Sequence, residues 1–251
     1  VPQVKFELSQ DFSSIEIIGS DFNLNTLREF YKIICKVIKE NVCKELIIKG
    51  NFNSKLLVNT LFNKKKIDKL DEHLFFLQSI TNTIENSKIK FIAFLNGIAK
   101  GPAMEIALSC NFIKAKEGTI LDFDFSESKQ LPFLGSIQRL VRILGYKNTL
   151  KTLLLDKTIN FEKANKMKII NSNIDNSMYK ENPFWDQNFT NTFIFFNSKI
   201  HSLYQNSKPA YNAILSIIFE SSLCEYEIGL SIEQRWLKWL IIRELENTIN
   251  K

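Results

Sequence analysis

Glu105 is the residue around which a chemical site could be built. It follows Gly101-Pro102, which come after an apolar run from Phe91 to Leu95 and the turn Asn96-Gly97. Strand, small-residue turn and helix in that order aim the unpaired amides of a helix N-terminus at one point, an arrangement that holds negative charge. A carboxylate one turn into the helix can hold a water or move a proton beside it, so the pattern reads either as a plain structural turn or as an oxyanion site. Asp124 and Glu127 are nearby further carboxylates in the chain. His73, beside Asp71 and Glu72, has no nucleophile or metal partner with a motif around it and reads as a structural residue. Cys35, Cys43, Cys110 and Cys224 form no C-x-x-C pair, and with two histidines they make no zinc site. Reduced thiols fit a cytoplasmic or organelle-matrix compartment.

The elements that must position Glu105 follow from periodicity. Val4 to Leu8 and Ser14 to Ile18 read as a hairpin, and Asp21-Phe22-Asn23-Leu24 opens a helix running to about Glu40. Glu45 to Lys49 is a strand, Lys69 to Ser87 a helix, and Lys90 to Leu95 the next strand. The βαβ alternation argues for a parallel sheet. Beyond Gly145 the chain turns helical, with short helices at Asn148 to Leu155 and Phe161 to Met167. A polar connection, Asn171 to Asn188, leads to helices over 189–206, 209–220 and 222–248, the last with an apolar stripe of Ile228, Ile232, Trp236 and Leu240. At 251 residues, the chain has room for a core over 1–175 and a helical region over 176–251.

Composition narrows the function classes. A hydrophobic fraction of 45% and a charged fraction of 24% belong to an ordinary globular protein. The net charge of +6 comes from dispersed lysines, and the densest run, Lys64-Lys65-Lys66, reads as a solvated loop, so nucleic acid is not the expected partner. No apolar run approaches the ~20 residues of a membrane span, and residues 1–20 lack a basic region followed by an apolar export segment.

The central stretch resembles the crotonase superfamily of enoyl-CoA hydratases and isomerases. The family signature N-G-x-A-x-G-G-G-x-E meets Asn96-Gly97-Ile98-Ala99-Lys100-Gly101-Pro102-Ala103-Met104-Glu105. The family's P-G-x-G-G-x-Q-R-L meets Pro132-Phe133-Leu134-Gly135-Ser136-Ile137-Gln138-Arg139-Leu140 with no gap between the blocks. The stretch after Arg139 then tracks R-L-x-G-x-x-x-A-x-x-L-x-L-T-G-x-x-x-x-x-x-A-x-x-x-G-L-V, with Lys168 where a glycine is usual. Near the end, Pro209-Ala210, Ala213-Ile214 and Gly229-Leu230 with Glu233 are similar to the P-A-P-x-A-I and G-L-x-x-E blocks of the hydratase part of multifunctional β-oxidation proteins. No G-x-G-x-x-G dinucleotide fingerprint follows.

The resemblance implies an α/β fold, a crotonase-like ββα spiral core with a C-terminal helical region. It also implies a coenzyme A thioester as ligand, no other cofactor, two amides that bind the thioester oxygen and two glutamates that handle water and protons. Glu105 matches the first glutamate. Pro102 stands at one oxyanion position and has no N–H to give. The other donor, from a family segment A-F-x-A-G-x-D, falls on Ser54 if Phe52 is the matching aromatic, with Lys55 in place of the glycine, or slides to about Leu57. The second glutamate's place is taken by Phe125, and Phe133 replaces a glycine beside the acyl pocket. Loss of one oxyanion donor costs on the order of a hundredfold to a thousandfold in rate. The expectation is therefore a crotonase-fold protein that is inactive or strongly impaired and acts as a structural or regulatory subunit in fatty acyl-CoA metabolism. It would form a homo-oligomer or a complex with an active crotonase or thiolase. The alternative is a hydratase or isomerase of altered mechanism that uses Glu105 and recruits Asp124 or Glu127. A third reading is a CoA-binding module in which Lys55 or Lys100 meets phosphate.

Overall fold

The structure, a computed structural model, describes residues 5–8, 13–41, 43–58, 68–124, 131–171, 184–205 and 207–247. β1 (Lys5–Leu8) and β2 (Ser14–Ile18) pair antiparallel as the hairpin pattern predicts. Asp21–Phe22, expected to open a helix, instead forms the short strand β3. The helix α1 (Leu24–Glu40) starts immediately after Asn23, whose side chain accepts the amides of Asn25 and Thr26 while the Asn23 amide donates to Thr26 Oγ1. That reciprocal cap fixes the start of the helix. Its inner face is Leu24, Leu27, Phe30, Ile34 and Val37.

β4 (Glu45–Gly50), β5 (Lys55–Leu56), α2 (Leu70–Glu85) and β6 (Lys90–Leu95) follow. β7 (Ile98–Ala99), α3 (Gly101–Leu108), β8 (Phe112–Ala115) and β9 (Ile120–Asp122) complete the first half. The main sheet has the order β1-β2-β4-β6-β8, parallel from β2 onward. Leu46 and Ile48 of β4 and Phe91, Ala93 and Leu95 of β6 point into the core, as alternation requires. A second sheet joins β7 and β9 in parallel, with β10 (Thr158–Asn160) antiparallel to β9, and β3 pairs with β5. The ends of β6 and β7 thus deliver the chain into α3.

α4 (Ser136–Lys151) is broken at Gly145 and runs into a π-helical turn, Thr152–Asp156, before β10 and α5 (Phe161–Lys166). The π turn explains a mismatch with the motif. Counted forward from Gly145, the glycine of T-G falls on Asp156; counted back from Ala164, it falls on Lys157. One additional residue is present, and a π turn absorbs it without ending the helix. Lys157 (φ 63) and Lys168 (φ 59) both keep a left-handed backbone that suits glycine. At Lys168 the reason is visible: the amides of Lys168 and Ile169 return to Asn165 and Ala164 carbonyls, closing α5 in a Schellman motif.

The C-terminal helices are α6 (Phe189–Tyr204), α7 (Pro209–Ser221) and α8 (Tyr226–Asn247). α8 packs on α7, α2 and α4. Its inner face is Tyr226, Leu230, Glu233, Leu237, Leu240 and Ile241, whereas Ile228 is 52% exposed. The stripe read from the sequence is thus rotated, because a carboxylate rather than an isoleucine occupies the centre of the buried face. Gly229 lets α8 come this close: a Cβ there would stand 2.4 Å from Gln138 Oε1. The basic run at Lys64 and most of the expected polar connection lie outside the described residues.

Candidate functional site at the starts of two helices

The structure brings Ser54, Lys100 and Pro102 together. An isolated parallel bridge joins Asn53 to Lys100, and Gly101 (φ 65) turns the chain so tightly that a Cβ there would stand 2.2 Å from the Ser54 carbonyl. The Ser54 amide donates to the Lys100 carbonyl at 3.2 Å. Ser54 Oγ donates to the same carbonyl at 2.8 Å and accepts the Ala103 amide at 2.9 Å. Pro102, buried in the first turn of α3, offers no hydrogen. The other candidates for the first donor are also engaged: the Lys55 amide meets the Ser20 carbonyl at 2.9 Å, and the Leu57 amide meets the Phe22 carbonyl at 2.7 Å.

Glu105, only 4% exposed, points to the start of α4. Its carboxylate accepts the Phe133 amide at 3.1 Å, the Leu134 amide at 2.8 Å and Ser136 Oγ at 2.8 Å. Burial pushes its carboxyl above the ordinary range, and these three bonds and Arg139 pull against that rise without cancelling it. Phe133 contributes its amide to Glu105 and buries its ring in the core. Asp124 pairs with Lys157 at 3.4 Å. Phe125 and Glu127 lie outside the described residues. His73 is a buried residue of α2. A cavity of about 430 Å³ opens between α4, the π turn and α5, lined by Ile143, Lys151, Asp156, Lys166 and Met167 among others, and shares no residue with this site.

A second carboxylate was not foreseen. Glu233 of α8, 1% exposed, accepts the Ile137 and Gln138 amides at 3.3 and 3.1 Å, so α4 begins between two carboxylates. Burial, together with the charge of Glu105, pushes Glu233 up to about 8. Arg139, fully buried, donates to the Leu134 carbonyl at 2.6 Å, to Asn82 Oδ1 at 2.8 Å and to Glu85 at 3.2 Å, and the Tyr226 hydroxyl donates to Glu85 at 3.0 Å. The sequence signal was present in the Q-R-L and G-L-x-x-E blocks, which carry Arg139 and Glu233. What it lacked was any indication that they meet.

This architecture is the crotonase fold of the enoyl-CoA hydratases and isomerases. An enoyl-CoA hydratase from Bacillus halodurans superposes with a TM-score of 0.63 over 97% of both chains at 18% identity. One from Mycobacterium avium subsp. paratuberculosis gives 0.60, covering 95% of this chain and 93% of that one, at 15% identity. In sequence, the chain is similar to the fatty acid oxidation complex subunit alpha of Shewanella frigidimarina, 26% identical over 195 residues, 70% of this chain. It is also similar to the peroxisomal fatty acid beta-oxidation multifunctional protein AIM1 of Arabidopsis thaliana, 27% identical over 96 residues, 38% of this chain. The matches span 27% and 13% of those proteins' lengths. No protein-family model matches the sequence. Among the described residues no helix is long and apolar enough to cross a membrane.

Proposed function

We propose that this chain is a crotonase-fold protein without effective enoyl-CoA hydratase activity, which serves as a structural or regulatory subunit in fatty acyl-CoA metabolism. The observation that carries the reading is the engagement of the amides at the start of α3: Ser54 N–H is taken by the Lys100 carbonyl, Ala103 N–H by Ser54 Oγ, and Pro102 has none. A thioester oxygen placed there would meet no preorganised donor pair, the feature that carries most of the rate in such reactions. Glu105 supports the same reading, because its oxygens already accept three donors that hold the turn before α4. The residue types at 125 and 133 support the same reading: a phenylalanine in place of a glutamate offers no acid or base, and one in place of a glycine adds bulk. Exposed Ile194, Phe195, Leu203, Ile228 and Trp239 on the C-terminal helices fit a subunit that meets another copy, or an active crotonase or thiolase. The compartment would be reducing, a cytoplasm or an organelle matrix, and a coenzyme A thioester would be the ligand to test first.

The test is hydration of crotonyl-CoA by the purified chain. We expect turnover at least ten-thousandfold below that of an active hydratase assayed alongside, roughly the product of a lost oxyanion donor and a lost acid or base. The triple variant Pro102→Gly, Phe125→Glu, Phe133→Gly is expected to gain measurable activity. Family-like turnover that collapses in Glu105→Gln would overturn the proposal and establish the altered mechanism centred on Glu105.

A further inference from the structure

The first turn of α4 gathers buried ionisable groups from four helices: Glu85 from α2, Glu105 from α3, Arg139 from α4 itself and Glu233 from α8, none more than 6% exposed. Arg139 is matched to Glu85 by a 3.2 Å contact and by the Tyr226 hydroxyl on the same carboxylate. Glu105 and Glu233 are left with neutral donors only: amides of Phe133, Leu134, Ile137 and Gln138 and the Ser136 hydroxyl. The helix dipole contributes roughly half a positive charge at such a start. Two ionised carboxylates beside one helix end, sealed from water, would exceed what these groups neutralise, and buried like charges respond by keeping a proton.

The remaining charges on the packed elements face elsewhere. Arg142 stands over the Phe184 and Tyr226 rings and reaches the Cys224 carbonyl. Asp71 pairs with Lys238, and Glu220 with Arg235, at the surface. His73 is a further buried titratable group of α2, flanked by residues that meet α8, since Gln234 reaches the Asp71 carbonyl and Gln78 the Leu230 carbonyl.

We propose that Glu105 and Glu233 hold one proton between them at neutral pH, so that seating α8 on the core takes up a proton. The upward displacement of both carboxyls by burial agrees with this. The sign follows from linkage. A carboxyl raised in the folded state stabilises the fold fully below its ordinary value near 4.5, and that contribution is lost as pH rises through the folded value of about 8. The seat of α8 therefore loosens progressively as pH rises from mildly acidic to about 8. This concerns how the C-terminal helix docks, and stands whether or not the chain turns over acyl-CoA.

The experiment is urea unfolding of the whole chain at intervals from about pH 5.5 to 9, paired with infrared detection of a protonated buried carboxyl at pH 7. A one-proton linkage predicts a folding constant that falls by up to about tenfold per pH unit up to about pH 8 and then levels. Glu233→Gln should flatten that fall and remove the carboxyl band, and His73→Gln should leave both in place. Should Glu233→Gln fail to fold, Glu105→Gln and the infrared band of the unaltered protein carry the test. A profile that is flat or rises, a fall that persists in both glutamine variants, or one abolished by His73→Gln would overturn the proposal.

Discussion

The starts of α3 and α4 solve one problem in opposite ways. Each helix leaves amides unpaired at its first turn. At α3 the chain removes or caps them without charge: a proline deletes one donor and the hydroxyl of Ser54 caps another. At α4 the donors are answered by buried carboxylates 28 to 96 residues away, with a guanidinium beside them. The uncharged solution yields a quiet turn, and the charged one ties four helices together. In a fold whose relatives are named for chemistry, the polar investment of this chain lies at the second start.

That contrast makes stability predictions of decreasing size. Arg139→Leu leaves Glu85 buried without its cationic partner and opens the Leu134 and Asn82 acceptors, so urea unfolding should show a loss of about 3–5 kcal/mol. A change below 1 kcal/mol would mean that the α4 start is not the stronger knot. Ser54→Ala removes the cap on Ala103 and a bond to Lys100, and the same measurement should give a loss of about 1–2 kcal/mol. Pro102→Gly mainly loosens the unfolded chain, so it should cost only about 0.4–1 kcal/mol. If Pro102→Gly were costlier than Arg139→Leu, the two starts would have to be compared the other way round.

Some of this was legible in order along the chain. The apolar alternation of β4 and β6 and the glycine turn into α3 are legible in the sequence, and Pro102 announces the absent amide by its chemistry; the helix over Gln138-Arg139-Leu140 is not, since the sequence reads as turning helical only beyond Gly145 and α4 begins at Ser136. Two other local readings failed for identifiable reasons. Asp21–Phe22 became a strand because Asn23 caps α1 more effectively and β5 offers a partner. The inner face of α8 is read in the sequence from its large apolar residues, of which Leu240 is buried and Ile228 exposed, whereas Glu233 lies at its centre.

By itself the sequence determined which side chains exist: a ring nitrogen at 102, phenylalanines at 125 and 133, a carboxylate at 105. Only the tertiary structure decided what Glu105 answers to. A carboxylate's role depends on which donors and charges share its low-dielectric surroundings, and here those come from the turn before α4 and from Glu233, more than a hundred residues downstream. Spacing along a chain carries no information about such a meeting until the helices pack.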